Sequence, residues 1–322
     1  MSDVTLKPQA KTPYGNKFFT PKRLTGIKMF LLVLPLICLV AVFSYTPLLG
    51  WVIAFCDYKP GRSFFEQKYN VGFRYFEMMF SGVGYFPNVM RNTLVLSLMG
   101  IVMSPFPIIL AIMTTRLAQS FSKRMSRLIQ TATALPNFIS WVLVYSLFFA
   151  LFNTNNGAVN NVLLNLGVID KPTNILINVD LAWFFQIGVG VWKGSGWSAI
   201  IYFAAISGID QELYDAADVD GASSFQKTLH VTIPGILPTY YVLLLLGIAN
   251  MLSNGFEQYF IFQNARTVSR LEVLDTYIYK IGLAQLQFSL STAMGMFKSV
   301  VSITLLTIAN FSSKLIRGDS IF

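Results

Sequence analysis

Apolar residues in this chain run in blocks too long for a soluble helix or strand. No charged side chain interrupts residues 29–56, 92–115 or 128–169, and about 20 apolar residues in a helix suffice to cross roughly 30 Å of hydrocarbon. These blocks predict spans one to three. A fourth is expected around 182–208, interrupted by Lys193, a fifth within 228–256, and a sixth centred on 291–313 with Lys298 inside it. The pattern predicts an all-α, polytopic membrane protein with six transmembrane helices, an even number that leaves both termini on one side. Composition agrees: 54% of residues are apolar and 12% charged, and the mean hydropathy is +0.57, outside the range of soluble domains.

The most polar stretch lies between spans four and five. Asp210, Glu212, Asp215, Asp218 and Asp220 crowd into it, and none of these carboxylates rests in hydrocarbon without several kcal/mol of penalty. Asp210 suits the N-cap of a helix, acids in the first turn suit its dipole, and Gly221 suits its C-terminal end. A second helix is expected from about 223 to 231. The segment therefore reads as a helix, a turn and a helix in water or against a protein partner.

Orientation follows from Lys and Arg beside the spans. Arg116, Lys123, Arg124 and Arg127 fill one short connection, whereas Lys59, Arg62, Lys68, Arg74 and Arg91 are spread over the longer 57–91 segment. The termini, the 116–127 connection and the acidic loop are accordingly expected inside a bacterial cytoplasmic membrane. The net charge of +9 is accounted for by anionic lipid and calls for no nucleic acid. The first apolar run is too long, and its polar leader too extended, for a cleaved secretion signal. Cys38 and Cys56 sit 18 residues apart, about 27 Å along one helix, so no disulfide joins them there. Pro35, Pro47, Pro105 and Pro107 are expected to kink spans, which neighbouring helices tolerate in a membrane bundle. The aromatic-rich segments 57–90, 153–181 and 257–290 are expected as outer loops that pack into a folded cap, either to receive a partner or as an interfacial aromatic belt.

Polar residues within spans are the candidates for a water-lined path. On a wheel of 100° per residue, Gly247, Asn250, Asn254 and Glu257 share an arc of about 80°, so one face of span five is expected to be polar. In span four, Trp192, Lys193 and Trp197 stand beside Gly190, Gly194 and Gly196; aromatic rings stack on the apolar CH faces of sugars, and small residues let helices approach. Two readings stand for these groups. They contact a solute, or they satisfy one another and anchor the helices.

Other chemistries lack their residues. No Gly-x-x-x-x-Gly-Lys-Ser/Thr motif occurs, so no phosphate cradle for ATP is built into this sequence. His230 is the one histidine and the two Cys are far apart, so no metal site is expected. No nucleophile and base stand at helical spacing in the spans, which removes the case for an enzyme. A secondary carrier needs paired halves or a buried carboxylate cluster, and neither is evident.

The acidic hairpin resembles the cytoplasmic coupling loop of binding-protein-dependent ABC importers, with Asp215-Ala216-Ala217, Gly221, Phe225 and Ile233-Pro234 at the motif positions. Asp215 stands where the family has Glu, one methylene longer. Further strings look like maltose-type permeases of the oligosaccharide and polysaccharide-fragment branch over residues 27–316. They are Tyr45–Phe55, Arg91-Asn-Thr93, Leu135–Trp141, Trp192-Lys-Gly-Ser-Gly-Trp197, Gly255-Phe-Glu-Gln258 and Asp275–Tyr279. Gly194-Ser195 departs from the branch, which often has an acid after the Lys.

The resemblance implies a permease domain over 29–316 between cytoplasmic tails at 1–28 and 317–322, with a coupling loop at 210–234. It implies that Glu212, Asp215, Ala216, Ala217, Asp220, Gly221, Ala222, Phe225 and Pro234 engage an ATPase. Trp192, Lys193, Trp197, Gly247, Asn250, Asn254 and Glu257 remain the path candidates. The implied partners are a second permease, as a heterodimer, two ABC ATPase subunits holding ATP and Mg, an extracytoplasmic solute-binding protein, and membrane lipid. The implied cargo is an oligosaccharide, with a permease for a non-sugar solute or a secondary carrier as alternatives.

Overall fold

The computed structural model describes residues 21–62, 67–69, 71–81, 85–120 and 122–317. The expected tails at 1–28 and 317–322 lie largely outside them. The chain falls into two units, one ending at Val52 and one starting at Ile53.

In the first unit, α1 (Pro21–Val40) runs through Pro35 and passes into a π-helical turn at Ala41–Tyr45. Pro47 has no N–H to give to the carbonyl a turn before it, and the chain tightens there into a 3-10 helix, Thr46–Phe55. Side chains such as Leu32 and Phe43 stand exposed along this apolar helix, as a lipid-facing surface requires.

The second unit opens with a two-residue antiparallel pair, β1 (Cys56–Asp57) against β2 (Lys68–Tyr69). The amide of Gln67 bridges Lys59 and Arg62 across this turn. After α2 (Arg74–Phe80), a long apolar segment forms α3 (Phe86–Val102) and α4 (Phe106–Ser120), separated at 103–105 where Pro105 breaks the hydrogen-bond ladder. Burial, together with the hydrogen bond that Tyr75 donates to Asp57 at 3.0 Å, pushes its phenol above the ordinary value.

The expected third span is not one straight rod. α5 (Lys123–Ala134) continues as a 3-10 turn, Leu135–Phe138, and then bends by 102° into α6 (Trp141–Phe152). Pro136 lies in that turn, and the Ser140 hydroxyl accepts from Leu143 N to cap the second piece. The segment after it folds into α7 (Ala158–Asn165), held by the buried Asn160 side chain on the backbone of Phe152, Asn153 and Thr173. α8 (Ala182–Ser207) is 26 residues long, about 39 Å at 1.5 Å per residue.

The acidic segment forms α9 (Gln211–Val219) and α10 (Ser224–Lys227). The second helix does not stop near 231 as expected. Through a π-helical turn, Thr228–Thr232, it merges with α11 (Ile233–Ala249), giving one continuous helix from Ser224 to Ala249. Pro234 follows closely on that π-helical turn, inside the continuous helix, where its ring lacks the N–H that the ladder would use.

The fifth span ends earlier than expected. The helix stops at Ala249, Asn250 takes its C-cap, and Gly255 adopts φ +88°, so Asn254 and Glu257 are not on that helix. The single polar wheel from Gly247 to Glu257 is therefore corrected: Glu257 sits on α12 (Phe256–Phe262). The region 257–290 is mostly helical, with α13 (Val268–Leu271) and α14 (Leu274–Tyr279) before α15 (Phe288–Arg317).

Among the described residues, four helices are long and apolar enough to cross a membrane, five if the bent α5–α6 pair is one span. Apolar clusters hold the second unit, one of them formed by Leu96, Tyr259 and Val273. Met79, Phe86, Leu252, Leu274 and Met294 join α2, α3, α14 and α15. Ala111, Ala199, Tyr202 and Ile236 join α4, α8 and α11. Val144, Val189 and Phe262 join α6, α8 and α12.

Candidate functional site

A cavity of about 540 Å³ opens between α3, α8, α11 and the 250–258 segment. Gly247, Asn250 and Asn254 all line it, although no single helix carries them. The turn after Ala249 folds Asn254 back toward α3, where its Nδ2 donates to Ser97 Oγ at 2.9 Å and Thr93 O at 3.3 Å. The Ser97 hydroxyl in turn donates to Met251 O. On the α8 side, Gln258 Nε2 donates to Gln186 O and Gln186 Oε1, each at 2.9 Å. Ser104 and Tyr240 hydroxyls meet at 3.1 Å lower on the same wall. Asn250 Nδ2 donates to Leu246 O at 2.9 Å.

Lys193 and Glu257 line a neighbouring opening with Asn137, Ser140 and Trp141. The Lys193 ammonium donates to Pro136 O at 3.1 Å and Asn137 O at 2.8 Å and lies 5.1 Å from the Trp141 ring centroid. It thus caps the bend between α5 and α6, adding to the bond that Pro136 O already accepts from Ile139 N at 3.2 Å and giving Asn137 O a donor. Trp192 stacks edge-on against Phe148 and Trp197 against Phe138, and neither lines the first cavity.

Of the three glycines in this part of α8, Gly196 is the point of close approach. A Cβ there would stand 2.0 Å from Thr133 O on α5, whereas at Gly194 it would meet nothing within 4 Å. A Cβ at Gly190 would meet the Gln258 amide at 3.7 Å, an ordinary contact. Sequence reasoning missed Ser97, Gln186, Tyr202, Tyr240 and Gln258 on the cavity wall. Gln186 carried a usable signal, as a lone amide in the otherwise apolar stretch 181–191.

The second site is the acidic hairpin. Asp210 Oδ1 accepts from Glu212 N at 3.0 Å and starts α9. Gly221, at φ +71°, reverses the chain, and Ala222 N donates back to Ala217 O at 2.9 Å. Ser223 and Gln226 then form a reciprocal capping box. Lys227 pairs with Asp218, and Tyr214 OH meets Thr232 Oγ1 at 3.0 Å, so the two helices are tied side to side. Glu212, Asp215, Ala216, Asp220, Phe225 and Pro234 are exposed, with Phe225 at 68% and Val219 at 89%. Asp215 accepts from Gln211 Nε2 at 3.1 Å. A shallow hollow beside Ala217, Asp220, Gly221 and Ala222 completes the surface.

A polytopic helical bundle with an uncharged internal cavity and an exposed acidic hairpin defines a membrane transport component. The sequence matches the family described as "Binding-protein-dependent transport system inner membrane component" over residues 103–318, and the chain belongs to it. It is therefore a permease component and not an enzyme. The chain is similar to Protein LplB of Bacillus subtilis (strain 168), at 36% identity over 91% of each chain. It is equally similar to the polygalacturonan/rhamnogalacturonan transport system permease protein YteP of the same strain, at 36% identity over 91% of this chain and 90% of that one. In three dimensions it matches a chain of the bacterial alginate ABC transporter solved with an alginate pentasaccharide-bound periplasmic protein. The TM-score is 0.83 at 31% identity, over 93% of this chain and 98% of that chain.

Proposed function

We propose that this chain is one permease half of an ATP-driven importer and forms part of the membrane path of an oligosaccharide. In this reading α8 and the bent α5–α6 pair complete six spans, and both termini and the 210–234 hairpin are cytoplasmic. A second, different permease subunit faces the first cavity. Two ABC ATPases bind ATP and Mg and grip the hairpin, and an extracytoplasmic binding protein delivers the cargo.

The observation that carries the proposal is the wall of the first cavity, where amides and hydroxyls of Ser97, Gln186, Tyr240, Asn250 and Asn254 alternate with apolar surface. Sugars present the same mixture of hydroxyls and CH faces. The carbohydrate names of the relatives and of the similar structure support the same cargo class.

Coupling follows from the hairpin. α9 is locked onto α10, and α10 is continuous with α11, so a push on the exposed acidic face moves α11 as a rigid body against the cavity. ATP-driven closure of the ATPase pair then alternates the access of the path.

The test is purification of the complex with its binding protein, reconstitution in liposomes, and measurement of ATP hydrolysis and uptake. Saccharides should stimulate both, and amino acids or peptides should not. Uptake by this chain with no ATPase present, or labelling that puts residue 218 on the outer surface, would reject the reading.

A further inference from the structure

Resting on the reading of the first cavity as half of a sugar path, we propose that the cargo is a neutral oligosaccharide, discriminated from uronic-acid oligomers by an uncharged wall. No Lys, Arg, Asp, Glu or His is among the described residues that line this cavity. A carboxylate brought to membrane depth loses its hydration, and only a cation or a set of free N–H donors makes up the loss.

The wall has no cation, and two of its amides have their N–H groups taken. The amides of Asn254 and Gln258 each spend their N–H groups on two protein oxygens. Asn250 Nδ2 is turned onto Leu246 O. The Asn254 Oδ1 is buried with no hydrogen-bond partner. A wall without cations that keeps an unmet amide oxygen favours groups that donate, which sugar hydroxyls are and carboxylates are not.

Nearby cations are committed elsewhere. Lys193 is held on two backbone carbonyls and over Trp141, and Glu257 lines the same opening. Arg91 and Arg270 lie against the Trp183 ring, with centroid distances of 5.6 and 4.3 Å. A similar solved transporter is involved in the import of the acidic polysaccharide alginate, so the two paths would differ in charge selection within one fold.

The test uses the full complex in liposomes, with its binding protein loaded either with neutral gluco-, xylo- or arabino-oligosaccharides or with oligogalacturonates and oligomannuronates of matched length. Loading is verified by calorimetry. Neutral oligomers should drive uptake, and loaded uronates should pass at least about tenfold more slowly. In Asn250→Lys, which places a cation at a helix C-terminus where it is favourable, the uronate-to-neutral ratio should rise about tenfold. Equal flux of both classes in the wild type, or an unchanged ratio in the variant, overturns charge selection while leaving the sugar path. Stimulation by non-saccharide solutes alone overturns both.

Discussion

Arg116, near the end of α4, donates from Nε to Thr228 Oγ1 at 2.8 Å, joining residues 112 positions apart in sequence. Its Nη2 donates to Thr228 Oγ1 and Ser224 O. One guanidinium thus ties the second apolar segment to the point where α10 passes into α11. Arg116→Gln removes the charged donor, and a hydrogen bond to a charged group is worth about 1.5–3 kcal/mol. With the hairpin loosened from α4, uptake per ATP hydrolysed should fall roughly tenfold while the complex still assembles. A wild-type transport-to-ATP ratio would show that this tie does not carry the stroke.

Asp215 and Gly221 separate contact from shape. Asp215 is exposed and bonds only to Gln211 among the described residues, so Asp215→Lys should change stability by less than about 0.5 kcal/mol. Uptake should nonetheless be abolished, because the reversed charge repels whatever the acidic face grips. Gly221→Val acts differently: φ +71° costs a β-branched residue about 1–2 kcal/mol or more. That variant should raise proteolytic cleavage near 221 together with the loss of uptake. Normal uptake in both would remove the hairpin from the mechanism.

Two glycines two residues apart should respond oppositely. Gly196→Ala forces a methyl to within 2.0 Å of the Thr133 carbonyl oxygen, backbone that cannot step aside without moving α5. A loss of about 1–3 kcal/mol is expected, read as a lower unfolding temperature in detergent. Gly194→Ala meets nothing within 4 Å and should unfold like the wild type. Equal temperatures for the two variants would contradict the packing of α8 on α5.

Lys193→Met strips the ammonium donor from Asn137 O, while Pro136 O keeps its bond from Ile139 N. Leaving that carbonyl unpaired costs about 1–3 kcal/mol, so the variant should be less thermostable, and Lys193→Arg should recover most of the difference. If Lys193→Met unfolds at the wild-type temperature but alters sugar dependence of uptake, the ammonium serves cargo and not the bend.

Charge gaps and caps were readable because they act locally. The uncharged runs 29–56 and 92–115 became helices because hydrocarbon admits backbone only when its own hydrogen bonds are satisfied. Asp210 and Gly221 fell at a helix start and a left-handed turn, as their side-chain oxygen and absent Cβ require. The break after Ala249 was not readable, since an apolar run specifies length along a helix and not where tertiary contacts end it.

The chain by itself determined a membrane-embedded helical protein with a polar hairpin between its fourth and fifth apolar segments, because transfer energy and capping depend on residues adjacent in sequence. Tertiary structure alone decided that Asn254 leaves the fifth helix to join Ser97, that Lys193 serves the carbonyls of a 102° bend, and that α10 runs unbroken into α11. Each of these depends on which buried donor finds which acceptor across dozens of residues, a choice that periodicity along one segment does not encode.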